Sequence, residues 1–308
     1  MLWLWSSAAL WSQDTIPKAH VIDQGPLYEN LFELREDNDF LHFTDRYYST
    51  GTFLGLRRWL PPSQDSLTTK QYSMFLYQEI YTPTDLLTDK PKFMDRPYGG
   101  FLGLSNELLL AKADRAHDIK WVMGIAGPWS GSETVQSAFH NSATVDSKIA
   151  TWGAQIDNSF HLNLYYHYTR EWQWNGDPFR VYFAWNPITA LGSKDTYLEN
   201  DLVFYFGRRQ PLQKSMAYKQ LLGRKNELFF ATRFGHRYVL HDGMLQGNLF
   251  GDQSEYTVRP YPMLYFFSVG FFARFERHDL QLNYHYESAR NRAADPHLYV
   301  SLSYSKRY

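Results

Sequence analysis

The sequence predicts an all-β protein: a transmembrane antiparallel β-barrel of about twelve strands, with a short helix near residues 132–141 at one rim. Three observations favour this class. The 308 residues combine 18% aromatic side chains with a mean hydropathy of −0.48, as expected of aromatic girdles around a polar interior. Apolar residues recur at every second position, which is the period of a strand. No apolar run approaches the roughly 18 residues that a membrane-spanning helix needs.

Charge and cysteine content narrow the function further. The chain has 31 Lys and Arg against 32 Asp and Glu, so no positive field exists to hold a phosphate backbone, and we expect no nucleic acid partner. Cysteine is absent, which excludes a disulfide framework and a thiolate metal site.

The first residues differ from the rest of the chain. Residues 1–12 are apolar and small, as in the core of a secretory signal peptide, although the first basic residue is Lys18. We expect 1–20 to be a signal peptide or a disordered N-terminal segment, and 21–308 to form a single outer-membrane β-barrel domain.

The predicted strands follow in order along the chain. Alternation is clearest in 160–168, 278–287 and 297–305. Weaker alternation indicates nine more strands, near residues 27–40, 48–59, 69–79, 97–112, 118–126, 178–192, 196–207, 225–240 and 262–276. The second face of the clearest strands carries His, Asn, Gln and Glu. Such a face favours a membrane barrel with a wet interior over the alternatives, which are a soluble β-sandwich and a soluble β-barrel.

One segment, residues 127–140, breaks this period. Ser132 with Glu133, followed by apolar residues at helical spacing, predicts a short helix that begins near Ser132. His140 lies four residues after Gln136, on the same helical face. Because histidine titrates near neutral pH, His140 is the best candidate for a general base. The alternative is a surface or packing residue.

The densest polar cluster spans residues 35–51 in a strand-turn-strand context. Asn38 and Asp39 close one predicted strand and Ser49 opens the next, so all three fall on one rim. A carboxylate there can orient a histidine or bind a hard cation, and an amide can donate to an oxyanion. The alternative is a solvated hairpin end. Asp146, in a loop rich in Ser, Thr and Asp, offers an oxygen ligand to Ca²⁺ or is an exposed loop residue.

Several motifs occur together in a defined order. They are Asn38-Asp39 with Thr44-Asp-Arg-Tyr-Tyr-Ser-Thr-Gly51, then Asp95-Arg-Pro-Tyr-Gly-Gly-Phe101, Gly124-Ile-Ala-Gly-Pro128, Val135-Gln136 with His140, and Trp152-Gly-x-Gln155. In order and rough spacing, over about residues 30–160, they resemble the outer-membrane lipid A 3′-O-deacylase family.

This resemblance implies a twelve-stranded barrel in the bacterial outer membrane, with an active site at a rim facing the cell exterior. The family is a Ca²⁺-dependent carboxylic ester hydrolase that removes the 3′-linked acyloxyacyl group of lipid A with a His-activated water. When the family's residue roles are transferred to this sequence, His140 is the base that activates water. Asp39 is the neighbouring acidic catalytic residue, and Asn38 is the oxyanion-binding or polar active-site group. Ser49 falls where the family has Thr or Ser, and Asp146 near its cation ligand.

The resemblance also implies the partners. We expect a monomer that contacts lipopolysaccharide and outer membrane lipids, with Lys90 and Lys92 as candidates for contacting the lipid A phosphates. Two other functions stay open: a passive or structural outer-membrane barrel, and a related phospholipase-type lipid esterase.

Overall fold

Twelve antiparallel strands form one closed barrel in the structure, a computed structural model, as the sequence predicts. The structure describes residues 25–39, 46–61, 67–143, 149–174 and 180–308, without the side chains of 142 and 143. The strands are β1 (Asn30–Asn38), β2 (Tyr47–Leu60), β3 (Thr69–Thr82), β4 (Gly99–Ala111), β5 (Arg115–Ala126), β6 (Ser159–Trp174), β7 (Val181–Gly192), β8 (Asp195–Arg208), β9 (Glu227–Asp242), β10 (Met263–Phe275), β11 (His278–Glu287) and β12 (His297–Arg307). Each strand pairs with its neighbours in sequence, and β1 closes on β12.

Two α-helices accompany the strands in the described part of the chain. Helix α1 spans Ser132–Ala143 and confirms the helix that the broken period predicts. Helix α2 spans Gly243–Gln246, with the side chain of Asp242 accepting a hydrogen bond from Met244 N. Neither of these helices is long and apolar enough to cross a membrane.

The alternation of side chains gives the barrel an apolar outer wall and a polar interior. On β6, Phe160, Leu162 and Leu164 are 56%, 56% and 47% exposed, whereas His161 and Asn163 between them are buried. Such rows of exposed apolar side chains are what a lipid-facing wall requires.

The two ends of the barrel differ. At the first end, called the terminal end, the start of β1 meets the end of β12, and Asn30 N donates to Tyr308 O over 3.0 Å. The loop end, which is opposite, carries the connections that follow the odd-numbered strands, including α1 and α2. The connections at the terminal end are short hairpins except for residues 209–226, between β8 and β9.

Residues 209–226, called the plug below, fold back into the barrel. Leu212, Met216 and Leu221 are fully buried there. Leu221 N donates to Gln71 Oε1 of β3 over 2.9 Å, and Lys219 Nζ pairs with Glu33 Oε1 of β1 at 2.6 Å. The plug therefore fills the lumen at the terminal end.

Above the plug lies a cavity of about 480 Å³, lined by acidic, basic and tyrosine side chains from most of the strands. Toward the loop end, Lys194 Nζ pairs with Glu79 at 3.0 Å and with Asp195 at 3.2 Å. Tyr165 OH also donates to Asp195, over 2.5 Å. These paired charges confirm the polar interior that the second strand faces predict.

Candidate active site on the outer wall

Helix α1 lies against the outside of the barrel, over β3 and β4. Gly100 of β4 faces outward, because its neighbour Phe101 packs inside the barrel. A Cβ atom on Gly100 would lie 2.2 Å from Ser130 Oγ and 2.4 Å from Ser132 Cβ. Gln78, an outward residue of β3, donates from Nε2 to Ser130 O over 2.8 Å. The start of the helix is thus fixed to the outer wall, and only glycine permits this close approach.

Gly100→Val is therefore expected to displace α1 and to lower the rate of the reaction proposed below by roughly 100-fold, since small misplacements of catalytic groups have effects of this size. The barrel should still fold, because the added atoms lie outside it. The matched control is Leu102→Val, the next outward residue of the same strand. Equal rates for Gly100→Val and Leu102→Val would show that the position of α1 does not matter.

Beside α1 on the same outer surface, a polar patch interrupts the apolar side chains at the loop end of β1 and β2. Asn38 Nδ2 donates to Thr50 Oγ1 over 2.8 Å. One step toward the terminal end, Thr52 Oγ1 donates to Glu36 Oε2 over 2.6 Å. These four side chains face outward, because the residues that alternate with them on β1 and β2, Asp37 among them, line the lumen. We call them the outer polar patch.

Asp39 and Ser49 lie directly beside this patch. Asp39 is 2% exposed; its Oδ2 accepts a hydrogen bond from Arg46 N over 3.0 Å, and its own N donates to Ser49 O over 3.4 Å. Ser49 is buried and falls at a register shift between Tyr48 and Thr50, a β-bulge. Bulges re-aim side chains and are common beside active sites. The structure thus brings Asn38, Asp39 and Ser49 together.

His140 lies on α1, half-buried, one helical turn beyond Gln136. The Gln136 side chain fixes the inner face of the helix: its Oε1 accepts a hydrogen bond from the buried Trp152 Nε1 over 2.8 Å. Trp152 in turn stacks on Tyr98 with ring centroids 5.2 Å apart. The adjoining face of the helix, with Val135 and Phe139, is exposed and apolar.

The helix and the outer polar patch are separated by part of the wall. The register runs from Asn38 through Thr50 and Ile80 to Gly100, which is three strand spacings, or about 14 Å. Ile80 lies between them and is covered by the cluster that contains Trp152. The predicted residues therefore all lie at the loop end of the barrel. Asn38 faces the outer wall with Asp39 and Ser49 buried beside it, and His140 lies on α1, which covers the neighbouring part of that wall.

The predicted cation ligand falls elsewhere: Asp146 lies outside the described residues. Asp39, Glu36 and Asn38 carry carboxylate and amide oxygens, the ligand type that Ca²⁺ prefers, so the chemistry of the site fits this ion. In the described part of the chain, however, no three His, Cys, Asp or Glu side chains are close enough together to hold a metal ion.

Sequence reasoning missed Thr50, Thr52 and Gln78 as site residues. Their signal is polarity at outward positions of strands that otherwise point Leu or Met outward, and reading it requires knowing which face is outside. Lys90 and Lys92, the candidates for phosphate contacts, are exposed at the loop end after β3.

The mouth of the lumen, by contrast, is occupied by two arginines, the buried Arg96 and the half-buried Arg290. Arg96 donates from Nη2 to Met244 O over 3.1 Å, and burial lowers the pKa of its guanidinium to about 10. Burial alone would also lower the pKa of Arg290, but Glu287 and Asp242 raise it well above its ordinary value. These groups are bound within the protein, which favours the outer wall over the lumen as the place where a substrate binds.

Comparison with known proteins agrees with the barrel fold. A family model described as "Outer membrane protein LpxR" matches residues 2–308. LpxR from Salmonella typhimurium has a similar structure, with a TM-score of 0.74 and 19% identity over 90% of this chain and 100% of that chain. An outer membrane channel from Pseudomonas putida F1 has a TM-score of 0.46 and 13% identity over 92% and 96% of the two chains. No curated protein matches the chain.

Proposed function

Because this chain belongs to the family of the outer membrane protein LpxR, the lipid A 3′-O-deacylases whose motifs it carries, we propose that it hydrolyses the 3′-linked acyloxyacyl ester of lipid A in the bacterial outer membrane. One observation supports this most directly: polar groups and a histidine-bearing helix lie on the lipid-facing wall of the barrel, not in its lumen. A membrane lipid reaches that wall without leaving the bilayer, and its acyl chains can stay against apolar side chains.

The proposed orientation puts the loop end at the cell exterior. Short turns on the periplasmic side and longer loops outside are usual for outer-membrane barrels. The opposite end carries the start of β1 and the end of β12. It also carries five connections, of which four are short hairpins and the fifth is the plug. Lipid A occupies the outer leaflet, so this orientation brings its ester to the level of the outer polar patch.

In the proposed mechanism, His140 takes a proton from a water molecule, and the water oxygen attacks the ester carbonyl. The tetrahedral intermediate collapses, the proton passes to the departing sugar oxygen, and the acyloxyacyl group leaves as a free acid. Asn38 supplies a polar group to the carbonyl oxygen as negative charge develops there.

We propose Ca²⁺ as the cation of the site, with Asp146, Asp39 and Asn38 as the residues that would hold it. When bound, such an ion supplies Lewis-acid stabilisation to the developing oxyanion. Asp39 suits this role because its carboxylate is fixed by the Arg46 backbone N–H at 3.0 Å.

Asp39→Asn is expected to lower the hydrolysis rate by about 100-fold, a typical loss when one stabilising group of this kind is removed. If Asp39 binds the cation, the variant should also need more Ca²⁺ for half-maximal activity. Initial rates measured over a Ca²⁺ series test both statements. Asp85→Asn, at an exposed carboxylate of the same end that accepts a hydrogen bond from Leu87 N, is the control. A normal rate and an unchanged Ca²⁺ requirement for Asp39→Asn would exclude it from the site.

The plug bears on the non-enzymatic alternative. A passive pore needs an open lumen, whereas residues 209–226 fill the terminal end with fully buried side chains. This observation favours an enzyme on the outer wall over a channel.

The proposed function is tested with purified, refolded protein in detergent micelles, supplied separately with lipid A and with a glycerophospholipid. Release of the 3′ acyloxyacyl acid from lipid A alone supports the proposal. Release of fatty acid from the glycerophospholipid alone would instead establish the phospholipase-type esterase, and release from neither would favour a structural barrel.

A further inference from the structure

A ring of exposed basic side chains surrounds the terminal end. Its six members stand at strand ends and hairpin turns outside the plug: Arg58, Arg115, Arg180, Arg208, Arg277 and Lys306. The exposed acidic residues at the same strand ends and turns are Glu29 and Glu276, as far as the structure describes them. The sequence of the remaining turns, 62–66 and 175–179, adds one Asp each and no Lys or Arg. We call the six residues the basic ring.

Members of the basic ring continue the lipid-facing rows of the outer wall. On β2, Arg58 follows Leu54 and Leu56, which point outward and are about half exposed. On β8, Arg208 follows the outward Phe206. Alternate strand residues are about 7 Å apart, so each basic group stands just beyond the last apolar side chain of its row.

Aromatic residues mark the same level as a membrane boundary. Trp172 and Trp174 of β6 point outward near the terminal end and are 39% and 68% exposed. On β12, Tyr304 precedes Lys306 in the outward row. Aromatic girdles of this kind lie at the depth of the lipid headgroups. The basic ring is therefore at headgroup depth, where lipid phosphates are the nearest anions.

Among the described residues, the loop end has no excess of exposed basic over exposed acidic side chains. Its exposed basic residues in the described part of the chain are Lys90, Lys92, Arg259 and Arg292. Its exposed acidic residues there are Asp85, Asp89, Glu133, Glu255 and Asp295. Although the formal net charge of the chain is only −1, the exposed charges of the described residues thus sum to a positive value at the terminal end and a negative value at the loop end.

We propose that the basic ring binds the headgroups of anionic phospholipids in the leaflet at the terminal end, a second lipid-binding surface independent of the proposed catalytic site. Within the ring, Arg115 has an acidic neighbour, with Nε 3.7 Å from Asp114 Oδ1. Each Lys or Arg near an anionic lipid surface favours binding by roughly fivefold. Several such contacts around one rim retain anionic lipid at the barrel in preference to zwitterionic lipid.

The experiment compares lipids retained by the intact barrel. The protein is reconstituted in vesicles of equal parts phosphatidylcholine and phosphatidylglycerol with the same acyl chains, extracted in mild detergent, and weighed by native mass spectrometry. We expect phosphatidylglycerol to exceed phosphatidylcholine among the bound lipids. Neutralising Arg58, Arg208, Arg277 and Lys306 to Gln should reduce that excess by at least about fivefold. The control neutralises Arg259 and Arg292, which are exposed at the loop end and lie outside the candidates for lipid A phosphate contacts, and it should keep the excess of phosphatidylglycerol.

Equal retention of the two lipids by the wild type would overturn the proposal, as would an equal loss in the loop-end control. Folding of each variant is verified by its heat-dependent shift in electrophoretic mobility. If the ring variant does not fold, the wild type still provides a test: about 0.5 M salt should remove the phosphatidylglycerol excess, because it screens exposed charges. An excess that persists at this salt concentration would contradict binding by the basic ring.

Discussion

His140→Ala is expected to reduce the hydrolysis of lipid A by 10²-fold to 10⁴-fold, the range that loss of a general base produces. The physical reason is that the proposed mechanism contains no protein nucleophile, so the attacking water depends on this imidazole to accept its proton. His140 is half-buried on a helix outside the barrel wall, and the variant barrel should therefore fold normally. Initial rates with purified protein and lipid A measure the effect.

The matched control is His236→Ala. His236 is an exposed, outward-facing residue of β9, on the opposite side of the twelve-stranded barrel from β3. Its removal should leave the rate unchanged. If His140→Ala were as active as His236→Ala, another group would have to activate the water, and the assignment of His140 would be wrong.

Arg274→Ala is expected to lower the free energy of unfolding by about 3–5 kcal/mol, the cost of breaking a buried ion pair from one side. Arg274 is fully buried. Its Nη2 lies 2.7 Å from Asp279 Oδ2, and its Nη1 lies 3.3 Å from Glu227 Oε2. Nη2 also donates to Gln220 O of the plug over 3.1 Å. The substitution leaves two buried carboxylates without this cation and detaches the plug from β10.

Urea unfolding in zwitterionic micelles measures this loss without contributions from anionic lipid. Arg259→Ala, at an exposed position of the loop end, should change the free energy of unfolding by less than about 0.5 kcal/mol. An effect of Arg274→Ala no larger than that of Arg259→Ala would show that the buried network does not hold the plug.

Most of the fold follows from the alternation of side chains, because a wall between lipid and a polar lumen demands it on every strand. The boundaries follow less well. The sequence predicts a strand over 160–168, whereas β6 continues to Trp174. The continuation contains Glu171, which faces the lumen and pairs with Arg209 of the plug at 2.7 Å. Glu171 keeps the polar face of β6, and it is Arg170 that interrupts the outward apolar row. The partner of Arg170 is Asp114, in the turn before β5, so the local sequence does not show why the strand continues.

The plug could not be predicted for the same reason. Residues 209–226 lie between the strands predicted near 196–207 and 225–240 and contain no strong strand or helix signal of their own. Their place is fixed by contacts far apart in sequence, such as Leu221 N to Gln71 Oε1 and Lys219 to Glu33. The sequence alone does not distinguish such a segment from an exposed loop.

The candidate site, like the fold, was only partly predictable from the sequence. The nearness of Asn38, Asp39 and Ser49 follows from a hairpin and was predictable. The outward direction of Asn38 and the β-bulge at Ser49 depend on register, which the sequence does not state. The position of His140 depends on how α1 packs over Gly100. Asp146, as ligand of Ca²⁺, stays a prediction, because it lies outside the described residues.

The most direct test of the proposed function is the mass of lipid A from cells that express this protein, grown or treated with Ca²⁺ or with EDTA. The proposed function predicts a loss equal to the 3′ acyloxyacyl group when Ca²⁺ is present, and an unchanged mass with EDTA or with His140→Ala. An unchanged mass with Ca²⁺, in cells whose outer membrane contains the folded barrel, would contradict lipid A deacylation.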